Sequence, residues 1–207
     1  MVVAVLLGSV RSERMGERAA KWAMAQLKAR GHEAALVDAA ELKLPLLDKM
    51  WKEIKQGPPA EYAALHAKLA PLAELYARTD GFCVVSAEYN HSIPPGLTNL
   101  IDHFLEEYFF RPSAIVCYSG GQFGGVRAAM QLRALLAETG MPSIPSLTDL
   151  QKKLPKSTFE AYQAVSALPQ GKRIFSLLFQ QKAPYFASAH IQVQEMTKNR
   201  GEVLVPK

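Results

Sequence analysis

The 207 residues contain only two cysteines, and both lie inside apolar runs: Cys83 in "GFCVVS" and Cys117 in "AIVCYS". That scarcity excludes a disulfide-stapled scaffold and a cysteine-rich metal centre. Both thiols are expected to pack in neighbouring strands, with a cytoplasmic location following from their being free. No apolar run approaches the roughly 20 residues that cross a bilayer, so no membrane segment is expected. The opening "MVVAVLLGSVR" has no basic residue before its apolar run and no long apolar stretch ending in a cleavage site. It reads as a first strand and not as a secretory leader. The Walker A Gly-Lys-Ser/Thr, the GxGxxG dinucleotide fingerprint and the GxSxG nucleophile elbow are all missing. His, Cys and carboxylate residues nowhere gather at metal-ligand spacing. Charge of one sign is modestly in excess, +5 with a pI near 9.2, which favours anionic partners. The basic residues are spread along the chain without a nucleic-acid motif, so no nucleic-acid partner is expected.

The remaining composition, 49% hydrophobic and 21% charged, suits one globular domain over residues 1–207. Apolar runs of strand length recur at residues 2–7, 34–37, 82–86 and 114–118, with a weaker one at 143–147. None alternates with polar residues, as expected of strands buried on both faces. Helical patterns separate them. Residues 14–30 put Ala19, Ala20, Ala23 and Leu27 on one face, and Gly31 supplies a stop. Residues 60–77 carry Leu65, Leu69, Leu72 and Tyr76, with a kink or split expected at Pro71. Leu97, Leu100, Ile101, Phe104 and Leu105 form a third stripe. Ala129, Leu132 and Leu136 form a fourth, closed by Gly140. Repeated strand–helix units argue for an open parallel α/β sheet with right-handed crossovers and helices on both faces. Residues 150–183 break the pattern and read as an irregular excursion or arm, and residues 184–200 read as a final helix. Such sheets bind ligands outside the carboxyl ends of their strands, where strand order reverses. The loops after strands one, three and four therefore ought to carry the chemistry.

The first of these, "GSVRSERMG" (residues 8–16), has the outline of a phosphate site: Gly8 for a tight turn, the Ser9 hydroxyl, the charges of Arg11 and Arg14, and a following helix N-terminus. A solvated loop with surface arginines is the plainer alternative. The third strand runs into "SAEYNHSIPPGLTNLID" (residues 86–102), where Glu88, Tyr89, Asn90, His91 and Ser92 offer hydrogen bonds and two prolines set the exit. The fourth runs into "YSGGQFGGVRAAMQLR" (residues 118–133), whose glycines let backbone pass beside a flat ligand with its N–H groups free. A flexible turn is the competing reading there.

Together, "GSVRSER", "EYNHSIPPGLTNLID" and "SGGQFGGVRAAMQLR" resemble the NADPH-dependent FMN reductase family of flavodoxin-like proteins, over roughly residues 1–148. The resemblance implies a flavodoxin-like three-layer sandwich with a five-stranded parallel sheet of strand order 2-1-3-4-5. It implies FMN as cofactor, NADPH or NADH as electron donor, a small-molecule electron acceptor, and a homodimer or homotetramer. Carried onto this chain, Ser9 and Arg11 would hold the phosphate with the backbone of Arg14, Met15 and Gly16. Glu88, Tyr89 and Asn90 would line the isoalloxazine and ribityl side. Ser119, Gly120, Gly121 and Gly124 would frame the pyrimidine edge. Four positions depart from the family pattern: Ala87 replaces a common proline, Thr98 a common lysine, and Arg14 with Gly16 the serine and asparagine of one branch.

The implied activity is an FMN-dependent NAD(P)H oxidoreductase passing electrons by a ping-pong cycle to a quinone, azo compound, free flavin or metal oxyanion. The cofactor does the electron chemistry, so no catalytic side chain is assigned. An FMN-binding electron carrier or redox-sensing protein without efficient NAD(P)H turnover is the alternative, and a sheet that has lost its cofactor is a third. His91 reads as an ordinary loop residue, with tuning of a flavin or contact to nicotinamide as the sharper role. His103 falls off the apolar stripe, a solvated or interface position. Trp51 reads as surface-packed, and "FLEEYFF" (residues 104–110) as core or subunit packing.

Overall fold

A run such as "VVAVLL" offers apolar side chains to both faces of a sheet, and it forms a strand covered on both. The computed structural model describes residues 1–120, 123–144 and 148–150. In chain order the elements are β1 (Val2–Leu7), α1 (Gly16–Ala29), β2 (Glu33–Asp38), α2 (Ala39–Leu42), α3 (Trp51–Ile54) and α4 (Ala63–Arg78), then β3 (Gly81–Ala87), α5 (Pro95–Asp102), β4 (Ser113–Tyr118), α6 (Val126–Glu138) and β5 (Thr148–Leu150). All four pairings are parallel and the order is β2-β1-β3-β4-β5, the flavodoxin-like sheet that the resemblance implies. The expected arm at 150–183, beyond its first residue, and the helix at 184–200 lie outside the described residues.

Alternate residues of each strand feed different layers. Ala4, Leu6, Phe82, Val84, Ile115 and Cys117 pack under α4, α5 and α6. Val3, Val5, Leu7, Cys83, Val85 and Val116 pack under α1 through Ala19, Ala20, Trp22, Ala23 and Leu27. The two thiols sit on adjacent strands, as expected, but face opposite layers and form no disulfide. Burial pushes the Cys83 thiol up to about 12, so it stays protonated and inert.

Three expectations change. The helix over residues 60–77 is not split: α4 runs through Pro71, which lies on its exposed face. The carbonyl that proline leaves without an amide partner, that of Ala67, is also on the exposed side, where water can satisfy it. The fifth strand forms at Thr148–Leu150, beyond the expected 143–147; Ser143 makes an isolated parallel bridge to Ser113, and residues 145–147 lie outside the described residues. His103 is fully buried, because its Nδ1 lies 2.6 Å from the Asn99 carbonyl and its own carbonyl accepts from the Trp51 amide. Trp51 is half-buried at the start of α3, against His66 and Phe104. Within "FLEEYFF", Phe104 and Tyr108 join the core while Phe109 and Phe110 are exposed.

Gly8 fixes where β1 ends. Its amide donates to the Val85 carbonyl, and a Cβ at this position would overlap Leu97 Cβ on α5. We expect Gly8→Ala to destabilise the fold by about 1–3 kcal/mol through overpacking. A lowered urea midpoint checks this; an unchanged midpoint would mean that α5 yields without cost.

Candidate functional site

The loop after β1 is organised by a buried ion pair. Arg14 Nη2 lies 2.5 Å from Asp38 Oδ2 and 3.2 Å from Glu17, while Nη1 donates to the Ser9 carbonyl. Asp38 ends β2, and its other oxygen accepts from the Ala40 amide to cap α2. The Arg14 side chain thus braces the loop from inside, and only its backbone is left for a ligand. Arg11 is the contrasting case: it is exposed and makes no hydrogen bond or ion pair among the described residues. Ser9 is buried, with Oγ 2.7 Å from the Tyr89 hydroxyl. No side chain caps the N-terminus of α1, where Met15 is the cap residue, and while the Arg18 amide donates to the Met15 carbonyl, the amides of Gly16 and Glu17 stay available to an anion. Gly16 is required by packing, because a Cβ there would overlap the Tyr118 hydroxyl.

The loop after β3 is a tight turn. Tyr89 and Ser92 exchange both backbone hydrogen bonds, at 3.0 and 2.9 Å, around Asn90 and His91. Those two residues carry φ of +50° and +62°, the backbone sense of a type I′ turn. Asparagine tolerates it, and histidine less so. Gln131 of α6 donates to the His91 carbonyl and to Ser92 Oγ, holding the turn from outside.

Glu88 does not extend into the space between the loops. Its Oε2 accepts from the amides of Arg127 and Ala128 at 3.0 and 3.1 Å, and its Oε1 lies 3.1 Å from His91 Nδ1. The side chain is 8% exposed. Desolvation raises its pKa, but the bonds from His91, Ala128 and Arg127 together outweigh this and leave it below its ordinary value. Glu88 is therefore an ionised carboxylate committed to the protein.

The loop after β4 explains why α6 needs such a partner. Gly124 and Gly125 both have left-handed backbone, φ +62° and +94°. A Cβ on Gly125 would lie 3.1 Å from Cys117 Cβ and from the Tyr118 amide nitrogen and carbonyl oxygen. Gly125 is the N-cap of α6 and brings no capping side chain, so Glu88 caps from another loop. Gly120 is different: it is exposed, and a Cβ there would meet nothing within 4 Å. Ser119 precedes it, half-buried. Gly121 lies outside the described residues. Gly125, Arg127, Ala128 and Gln131 were not singled out in the sequence; the glycine pair just before a helix was the available signal for the first.

Ser9, Tyr89, Glu88 and the start of α6 are thus joined across three loops at the carboxyl edge of β1, β3 and β4. A separate hollow of about 380 Å³ opens between α2 and α5, lined among others by Val10, Lys43, Leu46 and Asn99. It includes none of the expected cofactor residues.

The model of the NADPH-dependent FMN reductase family matches residues 1–151. The chain belongs to that family. Within the FMN reductases it is 29% identical to the NAD(P)H-dependent FMN reductase C4B3.06c of Schizosaccharomyces pombe over 178 residues, 84% of this chain and 86% of that one. It is 32% identical to the NAD(P)H-dependent FMN reductase ntnL of a Nectria species, over 63% of this chain and 64% of the relative's length. Quinone reductase of Escherichia coli K12 is 32% identical over 65% of this chain and 68% of its own. The fold is shared with FerB, a flavoenzyme NAD(P)H:(acceptor) oxidoreductase from Paracoccus denitrificans, at TM-score 0.64 and 19% identity over 95% and 97% of the two chains. A further family model, for a domain of unknown function, matches residues 171–207. No helix among the described residues is long and apolar enough to cross a membrane.

The residues fit the FMN of this reductase family. An anionic phosphate finds an uncapped helix N-terminus and an unpaired Arg11, and a flat ring system finds a glycine backbone that internal packing leaves open.

The Glu88 cap has a pH signature. Its folded pKa is lowered from 4.5, so its stabilisation is complete above that value and is lost as pH falls through the lower folded value. Glu88→Gln is expected to cost about 1 kcal/mol near neutrality, the usual worth of a helix cap. Urea unfolding of both proteins at neutral and acid pH checks this. The gap between them should narrow on acidification, and a gap independent of pH would mean that the charge of Glu88 contributes nothing.

Proposed function

We propose that this chain is an FMN-dependent NAD(P)H oxidoreductase that reduces a small two-electron acceptor, a quinone first among them, by a ping-pong cycle. One observation carries the reading: the three loops use their own hydrogen bonds to hold one another, yet among the described residues Arg11 makes no hydrogen bond or ion pair, no side chain caps α1, and a Cβ at Gly120 would meet nothing within 4 Å. The relatives named as FMN reductases and quinone reductases support the same chemistry.

In this reading Arg11 and Ser9, with the backbone of Arg14, Met15 and Gly16, bind the phosphate. Asn90 and the backbone of Glu88 and Tyr89 line the ring, with Ser119, Gly120, Gly121 and Gly124 along its pyrimidine edge. FMN, when bound, supplies the redox chemistry: it accepts a hydride from NAD(P)H and passes two electrons to the second substrate. The protein's part is to hold the ring, keep one face open, and present amide donors where negative charge grows. Arg14 and Glu88 serve this from behind, the first by shaping the phosphate loop and the second by tying the β3 loop to α6. A cytoplasmic setting suits two buried thiols that form no disulfide. A homodimer or homotetramer belongs to the same reading, and the apolar side chains it would cover include Leu46 and Phe110, 85% and 60% exposed.

The test is titration of the purified protein with FMN, followed by NADPH in the absence of oxygen. Saturable binding and rapid bleaching of the flavin are expected. Binding without bleaching would favour an electron carrier or redox sensor, and no binding would end the cofactor assignment. Arg11→Ala should weaken FMN about tenfold or more, the loss of one charge-assisted bond to phosphate. Affinity for riboflavin, which lacks the phosphate, should hardly change; an equal loss for both ligands would move Arg11 away from the phosphate.

A further inference from the structure

The chain has five histidines, at positions 32, 66, 91, 103 and 190. Of the four among the described residues, His32 precedes β2 at the far end of the sheet, His66 stacks on Trp51, and His103 is buried. His91 alone stands on a loop at the carboxyl edge of the sheet. It also has three features that an incidental loop residue does not need.

Its ring is oriented. Glu88 Oε2 is taken up by two helix amides, and Oε1 faces His91 Nδ1 at 3.1 Å. An ionised carboxylate only accepts, so Nδ1 carries hydrogen and Nε2 is the nitrogen that exchanges a proton with its surroundings. A carboxylate behind an imidazole sets tautomer and orientation in this way in proton-transfer sites. The ring is also accessible: its side chain is 69% exposed, while its partner Glu88 is 8% exposed. Finally, its backbone is strained and held, with φ +62° at a non-glycine residue, two reciprocal bonds around the turn and the Gln131 bond to its carbonyl. Such a conformation persists only where the surroundings enforce it. Three other ionisable groups of these loops are committed elsewhere: Arg14 to Asp38, Tyr89 to Ser9, and Glu88 to α6.

We propose that His91, oriented by Glu88, is the proton donor to the electron acceptor, which is thereby of the quinone class. The inference rests on the reductase reading above. Reducing a quinone to a hydroquinone takes a hydride and a proton. The hydride derives from NAD(P)H through the cofactor, and doubly protonated His91 gives the proton on Nε2 to the quinone oxygen. The ring left behind is the neutral Nδ1–H tautomer, bonded to Glu88, and it regains a proton from solvent. Glu88 is a positioning residue in this step.

Two measurements test it. The first needs neither flavin nor turnover: histidine-¹⁵N NMR of the apo-protein at about pH 9, above the ordinary histidine range, with His91 assigned by comparison with His91→Asn. The Nδ1–H tautomer is expected, and an Nε2–H tautomer overturns the proposal. The second compares NADPH-driven reduction of benzoquinone with that of ferricyanide, which takes electrons and no proton. In His91→Asn, whose new residue tolerates the left-handed turn, the ratio of quinone to ferricyanide rates should fall at least about tenfold. A smaller fall overturns the proton-donor role while the reductase reading stands. Wild-type protein that reduces neither acceptor overturns the reductase reading, and this inference with it.

Discussion

The carboxylate of Glu88 resting on the second and third amides of α6, those of Arg127 and Ala128, ties the loop after β3 to the loop after β4. The chain of causes begins at Gly125. Its left-handed backbone passes so close to Cys117 and Tyr118 that a Cβ would lie 3.1 Å from them and be strained, and a glycine N-cap leaves the helix amides without a side-chain acceptor. The acceptor has to come from elsewhere, and the strand adjacent to β4 supplies it. Once Glu88 is anchored, the turn that follows is constrained at its start by the cap, at its base by the Tyr89–Ser92 pair and on its flank by Gln131. Tyr89 then reaches back to Ser9 and draws in the phosphate loop. Polar bonds, with close packing at Gly8, Gly16 and Gly125, pre-organise the edge, which is how a site can be rigid and still open to water.

Charge is divided in the same economical way at the other end of the site. A loop with two arginines would present two cations if both were free. Asp38 takes one of them: Arg14 is almost wholly buried against it, with Glu17 beside it and the Ser9 carbonyl on its second nitrogen. A buried pair of this kind depends on bonds at the partners' remaining positions: the Ala40 amide donates to Asp38 and Arg14 Nη1 to the Ser9 carbonyl, while Arg14 Nε is buried without a partner among the described residues. Arg11 is left as the loop's unpaired cation, next to a helix terminus of the same polarity. One mobile charge and a set of fixed amides suit a single phosphate group better than an extended polyanion.

Much of this was legible in the chain, and the division between what was and what was not has a physical basis. Strands β1 to β4 are visible because a strand buried on both faces must be apolar at every position, and the helices show through their spacing. Gly31 and Gly140, at φ +77° and +72°, end helices where expected. The fifth strand was misplaced because three residues at a sheet edge carry too little pattern. The passage of α4 through Pro71 was hidden because it depends on which face meets water. Above all, the roles of Arg14 and Glu88 could not be seen from local spacing. Their partners lie 24 and about 40 residues away, and a charged residue in a ligand loop looks the same whether it faces the ligand or braces the loop.

That ambiguity also changes the meaning of the motif itself. In "EYNHSIPPGLTNLID", Glu88 caps α6, Leu97 fills the space that Gly8 leaves, and Ile101 is core. Asn99 donates to the Pro45 carbonyl and accepts from the Leu47 amide, so it secures the segment after α2 and touches no part of the three loops. Most of the stretch is therefore architecture: it fixes where the turn at Asn90 and His91 stands relative to Ser9 and to the glycine loop. A resemblance carried by such residues is strong evidence for the shape of the edge and weak evidence for the substrate, because few of the matching side chains point at it. The acceptor must be read from the residues whose presence the fold does not require. Arg11 and His91 are exposed, and neither packs in the core.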